Sequence, residues 1–455
     1  MSQPLASIIV PNHNGAPVLD RCLRQLRAQD HDAFEIIVVD DASGDESVRV
    51  AERHLDGERL TIVRSERNRG LGAARNLGLR HARGRHIAYI DVDGFAAPDW
   101  LRQGVTRLEC DPSLGAVASL VFFDGNRAVL NGAGATMNRF GYAEDHGFNE
   151  PLEYARLPRE VVYAMGCGLI ARREALERVG GFDPLLTNYY DDADLGLKLW
   201  RAGYRVELAP EAWIDHGFGQ SGGHSPRKML LCERHRIRVF LKHYPLRSIP
   251  GWLVREAASV AGFPSDERQR RREAWAWNLP RLPSTAFARI RGTRTGGLRP
   301  PFSRDSRPYR PVTDLNQPDP ERAQTRLRMD GTSDLGALVY GFYAPVAEGE
   351  LRFRWMAERG ALLVRARRAT RHLVLDYMVA IPDTQISLEI RPLDDRRCLW
   401  QGEVRAGAEP FTWTRADLPA RVRAGTYVLT LAASQTSRPP DGAVLALGLT
   451  GVELR

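Results

Sequence analysis

The sequence predicts three consecutive parts: an α/β domain with a mainly parallel sheet over 1–245, a helical extension with an Arg- and Pro-rich linker over 246–325, and an all-β, jelly-roll-like sandwich over 326–455. Three observations predict this. Apolar runs alternate with helices of period 3.6 through the first hundred residues, the pattern of right-handed βαβ units. Arg and Pro then dominate, as in Arg268-Gln-Arg-Arg-Arg272 and Arg299-Pro-Pro-Phe-Ser-Arg-Asp-Ser-Arg-Pro308. Beyond them, short alternating strands recur with turn residues between. The 455 residues are enough for several cores.

Ser7-Ile-Ile-Val10 is an apolar run closed by Pro11 and reads as a buried strand. Val18 to Ala28 places Leu19, Cys22, Leu23 and Leu26 on one helical face. Glu35 to Asp40 reads as a second strand, Asp45 to Leu55 as a helix and Leu60 to Val63 as a third strand. Gly72 to Ala82 reads as a helix ended by Gly84, and His86 to Ile90 as a fourth strand. Further on, Leu114 to Phe123 and Val161 to Ile170 read as strands, and Arg172 to Val179 as a helix stopped by Gly180-Gly181. A helix over Asp192 to Ala202 has Asp at its start and Gly203 at its end, followed by a strand over Tyr204 to Leu208. Glu256 to Trp277 is predicted helical with a break at Pro264, and 291–318 as an exposed linker. The sandwich strands are Leu351–Trp355, Leu362–Ala366, His372–Leu375, Ile386–Ile390, Tyr427–Leu431 and Val444–Leu449.

Composition excludes several classes. Apolar residues are 43% and charged residues 26%, ordinary for a globular chain, so disorder, collagen and a disulfide scaffold are ruled out. Cys22, Cys110, Cys167, Cys232 and Cys398 form no CxxC pair, which argues against a zinc ribbon and for a reducing compartment. The net charge is +8, and with only Lys198, Lys228 and Lys242 as lysines the positive charge is almost all Arg. That reads either as a base-composition bias or as contact with phosphates, which Arg matches in bidentate geometry. The basic runs lack a helix-turn-helix or an aromatic platform, so nucleic acid is not expected as a partner. Met1–Val10 lacks the basic region of a signal peptide, and no stretch approaches the ~18 apolar residues of a membrane span. A cytoplasmic protein is expected, with any membrane contact peripheral and at the inner face.

Polar residues follow three strand ends: Asn12-His13-Asn14, Asp40-Asp41 and Asp91-Val92-Asp93. Ligands of such sheets bind beyond the carboxyl ends of the strands, so these ends make one candidate site. Two carboxylates one residue apart suit a hard divalent cation and its phosphate ligand, although D-x-D is also a common cap. Asn68-Arg-Gly-Leu-Gly-Ala-Ala-Arg-Asn76 leads into a helix whose N-terminus and arginines suit phosphate charge. Asn188-Tyr-Tyr-Asp-Asp-Ala-Asp-Leu195 crowds three carboxylates at a helix start. They either complement the helix dipole or include a general base. His216 follows the strand-like Glu211-Ala-Trp-Ile214 and precedes the Gly-rich segment Gly217 to Gly223, where a neutral imidazole suits a metal.

In this order the motifs resemble the family 2 glycosyltransferases of GT-A (Rossmann-like) fold, close to the bacterial rhamnosyltransferase-like branch. The opening Val-Pro-Asn-His-Asn is followed by Val-Val-Asp-Asp-Ala-Ser-Gly-Asp, Asn-Arg-Gly-Leu-Gly-Ala-Ala-Arg-Asn and Asp-Val-Asp. Gly-Cys-Gly-Leu-Ile-Ala-Arg-Arg-Glu-Ala-Leu-Glu-Arg-Val-Gly-Gly-Phe-Asp, Asp-Asp-Ala-Asp-Leu and His-x-x-Gly-x-Ser complete the series, over roughly 5–245. The resemblance implies that Pro11, Asn12 and Asn14 line the nucleotide pocket. Asp40, with Asp41 beside it, would meet the base, and Arg69, Gly70 and Asn76 would lie beneath the nucleotide. Asp91 and Val92 would border the ribose, and Asp93 and His216 would hold Mg²⁺ or Mn²⁺. Asp192 matches the catalytic base, and Asp191 stands where the family usually has Glu. Arg227 and Lys228, after the Gly-rich segment, would add charge near the diphosphate.

No Gln-x-x-Arg-Trp follows the acidic cluster; Arg352-Phe-Arg-Trp355 lies in the β part and lacks the Gln. The resemblance therefore implies a non-processive, inverting enzyme with a UDP- or dTDP-linked sugar donor and a glycan or lipid-linked acceptor, in bacterial surface polysaccharide synthesis. The tail, from Gly336-Ala-Leu-Val-Tyr-Gly-Phe-Tyr-Ala-Pro345 to Asp441-Gly-Ala-Val-Leu-Ala-Leu-Gly-Leu449, resembles the β-sandwich appended to many bacterial glycosyltransferases. Its expected roles are acceptor binding, packing or homo-oligomer formation, with Trp355, Trp400 and Trp413 as core or sugar platform. Two other readings stand beside this: an inactive carbohydrate-binding protein using the sandwich, and a nucleotidyltransferase. The second would need a basic Gly-rich loop after strand one, where Asn12-His-Asn-Gly-Ala-Pro17 offers only His.

Overall fold

The computed structural model describes the chain except for residues 1–5, 56–58, 149–151, 153–154, 218–225, 263–264, 292–296, 304–325, 330–337, 349–350, 393–396, 407–408 and 436–446. Two compact units result: 1–148 with 155–306, and 149–154 with 307–455.

In the first unit, β1 (Ala6–Asn12), β2 (Phe34–Asp40), β3 (Leu60–Arg64) and β4 (His86–Tyr89) stand parallel in the order β3-β2-β1-β4. β1, β2 and β4 are wholly buried, as their unbroken apolar runs require. The crossovers are α1 (Ala16–Arg27), α2 (Ser47–Glu52) and α3 (Leu71–His81). α1 buries Leu19, Cys22, Leu23 and Leu26, the face that the spacing predicts.

Beyond β4 the sheet becomes mixed rather than parallel. The chain continues through β5 (Gly94–Ala96), α4 (Trp100–Glu109), β6 (Leu114–Phe123), β7 (Asn126–Ala133) and a hairpin of β8 (Ala135–Met137) with β9 (Ala143–Asp145). Then come β10 (Leu169–Arg172), α5 (Arg173–Val179), α6 (Asp191–Arg201) and β11 (Arg205–His216). β10 starts at the end where β4 finishes, pairing Leu169 with Tyr89, so it runs antiparallel to β4 and also to β6. β11 lies parallel to β6 and antiparallel to β5.

Two strand expectations change. Val161 to Ile170 is strand only from Leu169, because Gly166–Gly168 forms a turn of 3-10 helix. That turn passes close to its neighbours: a Cβ on Gly166 would stand 2.3 Å from the Arg75 guanidinium. The strands expected over Tyr204 to Leu208 and Glu211 to Ile214 are one strand that runs to His216 across an irregularity between Ala209 and Trp213, and so delivers His216 to the site.

The extension forms α7 (Pro226–His243), α8 (Ile249–Gly262), α9 (Ser265–Asn278) and α10 (Leu282–Arg291). α8 and α9 divide where a break at Pro264 was expected, though Pro264 itself lies outside the described residues, as does most of 291–318. Phe240 stacks on Tyr244 and Trp252 with centroids 4.2 and 4.1 Å apart. This cluster takes in Ala193 and Leu197 of α6, so the extension backs the helix that begins with the acidic residues.

The second unit is antiparallel throughout: β12 (Arg326–Arg328), β13 (Leu338–Glu348), β14 (Leu351–Ala366), β15 (Thr370–Val379), β16 (Gln385–Pro392), β17 (Trp400–Arg405), β18 (Thr414–Val422), β19 (Gly425–Ala433) and β20 (Leu447–Leu454). Long β14 belongs to both halves, pairing β20 through 354–356 and β19 through 359–366. The end strands meet where Trp400 Nε1 donates to the Pro419 carbonyl at 2.7 Å. Leu362, Leu375, Leu388, Ile390, Leu429 and Leu449 fill the interior, giving the expected sandwich. Of the quoted tail motifs, 336–337 and 441–446 lie outside the described residues.

Candidate active site

The ends of β1, β2 and β4, the start of α6 and the end of β11 converge. At the end of β1, buried Asn12 donates from Nδ2 to Asp40 Oδ1 and Ser43 Oγ, both at 3.1 Å. Its Oδ1 is buried with no hydrogen-bond partner among the described residues. Pro11, paired with Val39, is buried beneath it. Asn14 adopts φ 55°, a left-handed turn, and its Oδ1 accepts the Gly44 amide at 2.8 Å. Val92 packs against Gly15, where an added Cβ would come within 2.8 Å of Val92 and 2.3 Å of Asn12 Oδ1.

Asp41 is committed to the backbone. Its carboxylate accepts the Arg69 amide at 2.9 Å and the Gly70 amide at 2.8 Å, fixing the loop before α3. Gly70 has φ +86°, and a Cβ there would lie 2.7 Å from the Thr187 carbonyl, so both conformation and space demand glycine. Asn76 pairs on both sides with the Phe182 backbone at 2.9 Å. It ties α3 to the loop that leads to α6.

Arg75 joins the two acidic motifs. It is 2% exposed and donates to Asp91 Oδ1 and to Asp191 Oδ2, each at 2.7 Å. One of the motif's two arginines, Arg75, therefore meets carboxylates. Replacing it with Leu would leave two carboxylates without their buried cation. Arg75→Leu is expected to cost about 3–5 kcal/mol of stability. Urea unfolding of both proteins checks this; an unchanged midpoint would mean that water reaches the pair.

Asp91, Asp93 and His216 each place a ligand atom within 4.8 Å of the others. His216 Nε2 lies 3.5 Å from Asp93 Oδ1, and its Nδ1 is 2.9 Å from Asn131 Oδ1. The amide oxygen accepts from Nδ1, which turns Nε2 towards Asp93, where a metal would meet it. Burial works against the imidazolium, but the hydrogen bond and charge of Asp93 win and raise the His216 pKa. Two hard carboxylate oxygens and one imidazole fit Mn²⁺ or Mg²⁺.

Asp191 and Asp192 open α6 after Tyr189 and Tyr190, both left-handed at φ 64° and 63°. Asp191 is occupied by Arg75. Asp192 accepts the Ala193 amide at 2.8 Å and the Gly166 amide at 3.2 Å. Burial, and then the Asp191 charge, push its carboxyl up to about 7. Asp194 turns away and pairs with Lys198 and Lys242 at 2.9 and 2.5 Å. Asp145, at the end of β9, is also raised by desolvation, to about 6, with Lys228 and His216 opposing. The Lys228 ammonium also stands 5.1 Å from the Tyr189 ring, while Arg227 is exposed in the first turn of α7.

Three residues of this cluster escape sequence reasoning as site residues. Arg75 lies inside a quoted motif, so its signal was present but pointed to phosphate. Asn131 and Asp145 lie on β7 and β9, short strands with no motif around them.

A sequence profile described as "Glycosyl transferase family 2" matches residues 7–180. The chain is 40% identical over 103 residues to "Putative glycosyltransferase EpsH" of Bacillus subtilis, covering 23% of this chain and 30% of that protein. It is 36% identical over 141 residues to "Succinoglycan biosynthesis protein ExoO" of Rhizobium meliloti, covering 31% and 38%. The chain thus spans less than half the length of these curated relatives. Among solved structures it is similar to the mannosyltransferase PcManGT from Pyrobaculum calidifontis in complex with GDP-Man and Mn²⁺. That match has 23% identity and a TM-score of 0.40, and covers 64% of this chain and 86% of that one. Residues 7–180, with their motifs in family order, match the glycosyl transferase family 2 model.

Proposed function

We propose that the chain is an inverting, non-processive glycosyltransferase, moving a sugar from a nucleoside-diphospho-sugar to a hydroxyl of a glycan or lipid-linked acceptor in polysaccharide synthesis. The observation that carries this is the division of labour at α6: Asp191 is bound to Arg75, while Asp192 holds a raised pKa beside the Asp91, Asp93 and His216 cluster. Asp192 takes the proton of the acceptor hydroxyl, and that oxygen attacks the anomeric carbon from the side opposite the diphosphate. Displacement from that side inverts the configuration. Asn12, Asn14 and Asp40 face the nucleotide; Asp41, Gly70 and Asn76 shape the loops around it. Asp93 and His216, with Asp91 alongside, would hold a divalent ion, which would supply neutralisation of the leaving diphosphate. Lys228 and Arg227 stand where α7 begins and add positive charge on that side. The domain limits proposed from the sequence, 1–245, 246–325 and 326–455, assign all of this to the first part.

Donor identity is tested by thermal shift with UDP-, dTDP- and GDP-sugars and Mn²⁺. A matched donor at 100 times its Kd is expected to stabilise the chain by about 2.7 kcal/mol. Release of free sugar from that donor separates an enzyme from an inactive carbohydrate-binding protein. No shift with any nucleotide sugar would overturn the donor class.

A further inference from the structure

α10 is built inside out. Its polar side faces the protein: Arg238 donates to buried Thr285 Oγ1 at 2.7 Å, and Arg289 donates to the Leu241 and Tyr244 carbonyls at 2.7 Å each. The helical period then turns Phe287 and Ile290 outward. Phe287 is 60% exposed and Ile290 70%. α8 buries Trp252 against Phe240 and still leaves apolar side chains outside. Its Glu256 is buried and accepts from Arg236 and Arg271, while Leu253 and Val254 are exposed. The bonds of Arg289 bring the end of α10 to the turn after α7, where Leu246 is also exposed and from which α8 starts. The apolar tips of the two helices therefore extend from one region.

Arginine accompanies these tips. Leu246-Arg247, Val254-Arg255, Ile290-Arg291 and Leu298-Arg299 each pair an exposed apolar side chain with an exposed arginine. Residues 226–291 hold 15 Arg and Lys against 5 Asp and Glu, a surplus larger than the net +8 of the whole chain. The remainder of the chain is therefore slightly acidic. Arg236, Arg238, Lys242 and Arg271 are buried on carboxylates, whereas Arg227, Arg247, Arg255, Arg268, Arg272 and Arg291 are exposed and carry the positive charge of this surface.

We infer that the outward sides of α8 and α10 dock the protein on an anionic lipid surface. Leu253, Val254, Phe287 and Ile290 enter the headgroup boundary, and Arg247, Arg255 and Arg291 pair with lipid phosphates. A second copy fits this face poorly, because it would bring the same surplus of positive charge against it. No helix among the described residues is long and apolar enough to cross a membrane, so the helices lie on the surface. This inference stands apart from the catalytic assignment, because none of these side chains belongs to the acidic site.

The test is co-sedimentation of the full chain with phosphatidylcholine vesicles, with and without ~30% phosphatidylglycerol, at low and high salt. Binding is expected only to the anionic vesicles and is expected to weaken with salt. Phe287→Ser with Ile290→Ser should lower the partition coefficient at least about tenfold. Arg247→Gln with Arg255→Gln should lower it about fivefold per charge. All four residues are exposed, with the Arg255 guanidinium 3.9 Å over the Phe140 ring, and circular dichroism checks that each variant folds. Absence of binding, equal binding to neutral vesicles, or unaltered binding by the folded variants would overturn the inference. So would variants that split a dimer in light scattering while vesicle binding stays the same, which would assign the face to a second copy.

Discussion

Asp192→Asn is expected to lower sugar transfer about 10²- to 10⁴-fold while nucleotide binding stays nearly unchanged, because it removes a positioned base and little else. Its neighbours support this separation. Asp191 and Arg75 keep their 2.7 Å contact without it, and the Asp91, Asp93 and His216 cluster lies outside its hydrogen bonds. The pH dependence has a definite sign. The base must be ionised, and its carboxyl is pushed up to about 7, so kcat/KM should fall as pH drops below about 7. Stability should move the other way. The folded pKa lies above the unfolded carboxylate value, so ionised Asp192 destabilises the fold. That cost is absent below the unfolded pKa and grows as pH rises towards 7. Asp192→Asn should therefore melt higher than the parent at pH 8, by roughly 2 °C or more. Single-turnover kinetics and calorimetry across pH 5–9 measure both. Parent-like turnover in the variant would sink the base assignment.

Chelation is expected to have a comparable effect. EDTA should abolish transfer, and Mn²⁺ or Mg²⁺ should restore it, because the leaving diphosphate needs more positive charge than Arg227 and Lys228 at the start of α7 bring. Arg75, the buried cation nearest the pair, is already held by Asp91 and Asp191. Asp93→Ala should remove the carboxylate that faces His216 at 3.5 Å and weaken Mn²⁺-dependent nucleoside-diphosphate binding by at least about tenfold. Isothermal titration with and without Mn²⁺ reads this directly. Full activity in metal-free buffer would mean that basic side chains such as Lys228 alone stabilise the leaving group.

The local patterns of this chain determined a good deal. Unbroken apolar runs can only be buried strands, so β1, β2 and β4 were legible, as was the buried face of α1 from its spacing. Polar residues directly after such strands have few structural reasons to be there, which made Asn12, Asp40, Asp91 and Asp93 visible. The alternation of β14, β15, β16 and β19 announced a sandwich. What the sequence could not decide is which partner each polar atom takes. Arg75 and Asp191 are 116 residues apart, and only the packing of α3 against the start of α6 makes them a pair. The same contact separates the roles of Asp191 and Asp192, which are adjacent and chemically identical. Asn131 and Asp145 reach the site on short strands whose residues carry no periodic signal. The reversed face of α10 looks like an ordinary amphipathic helix in sequence, because periodicity reports that a face is apolar but not which way it points. Direction is set by tertiary hydrogen bonds from Arg238 and Arg289, and those exist only once the fold has formed.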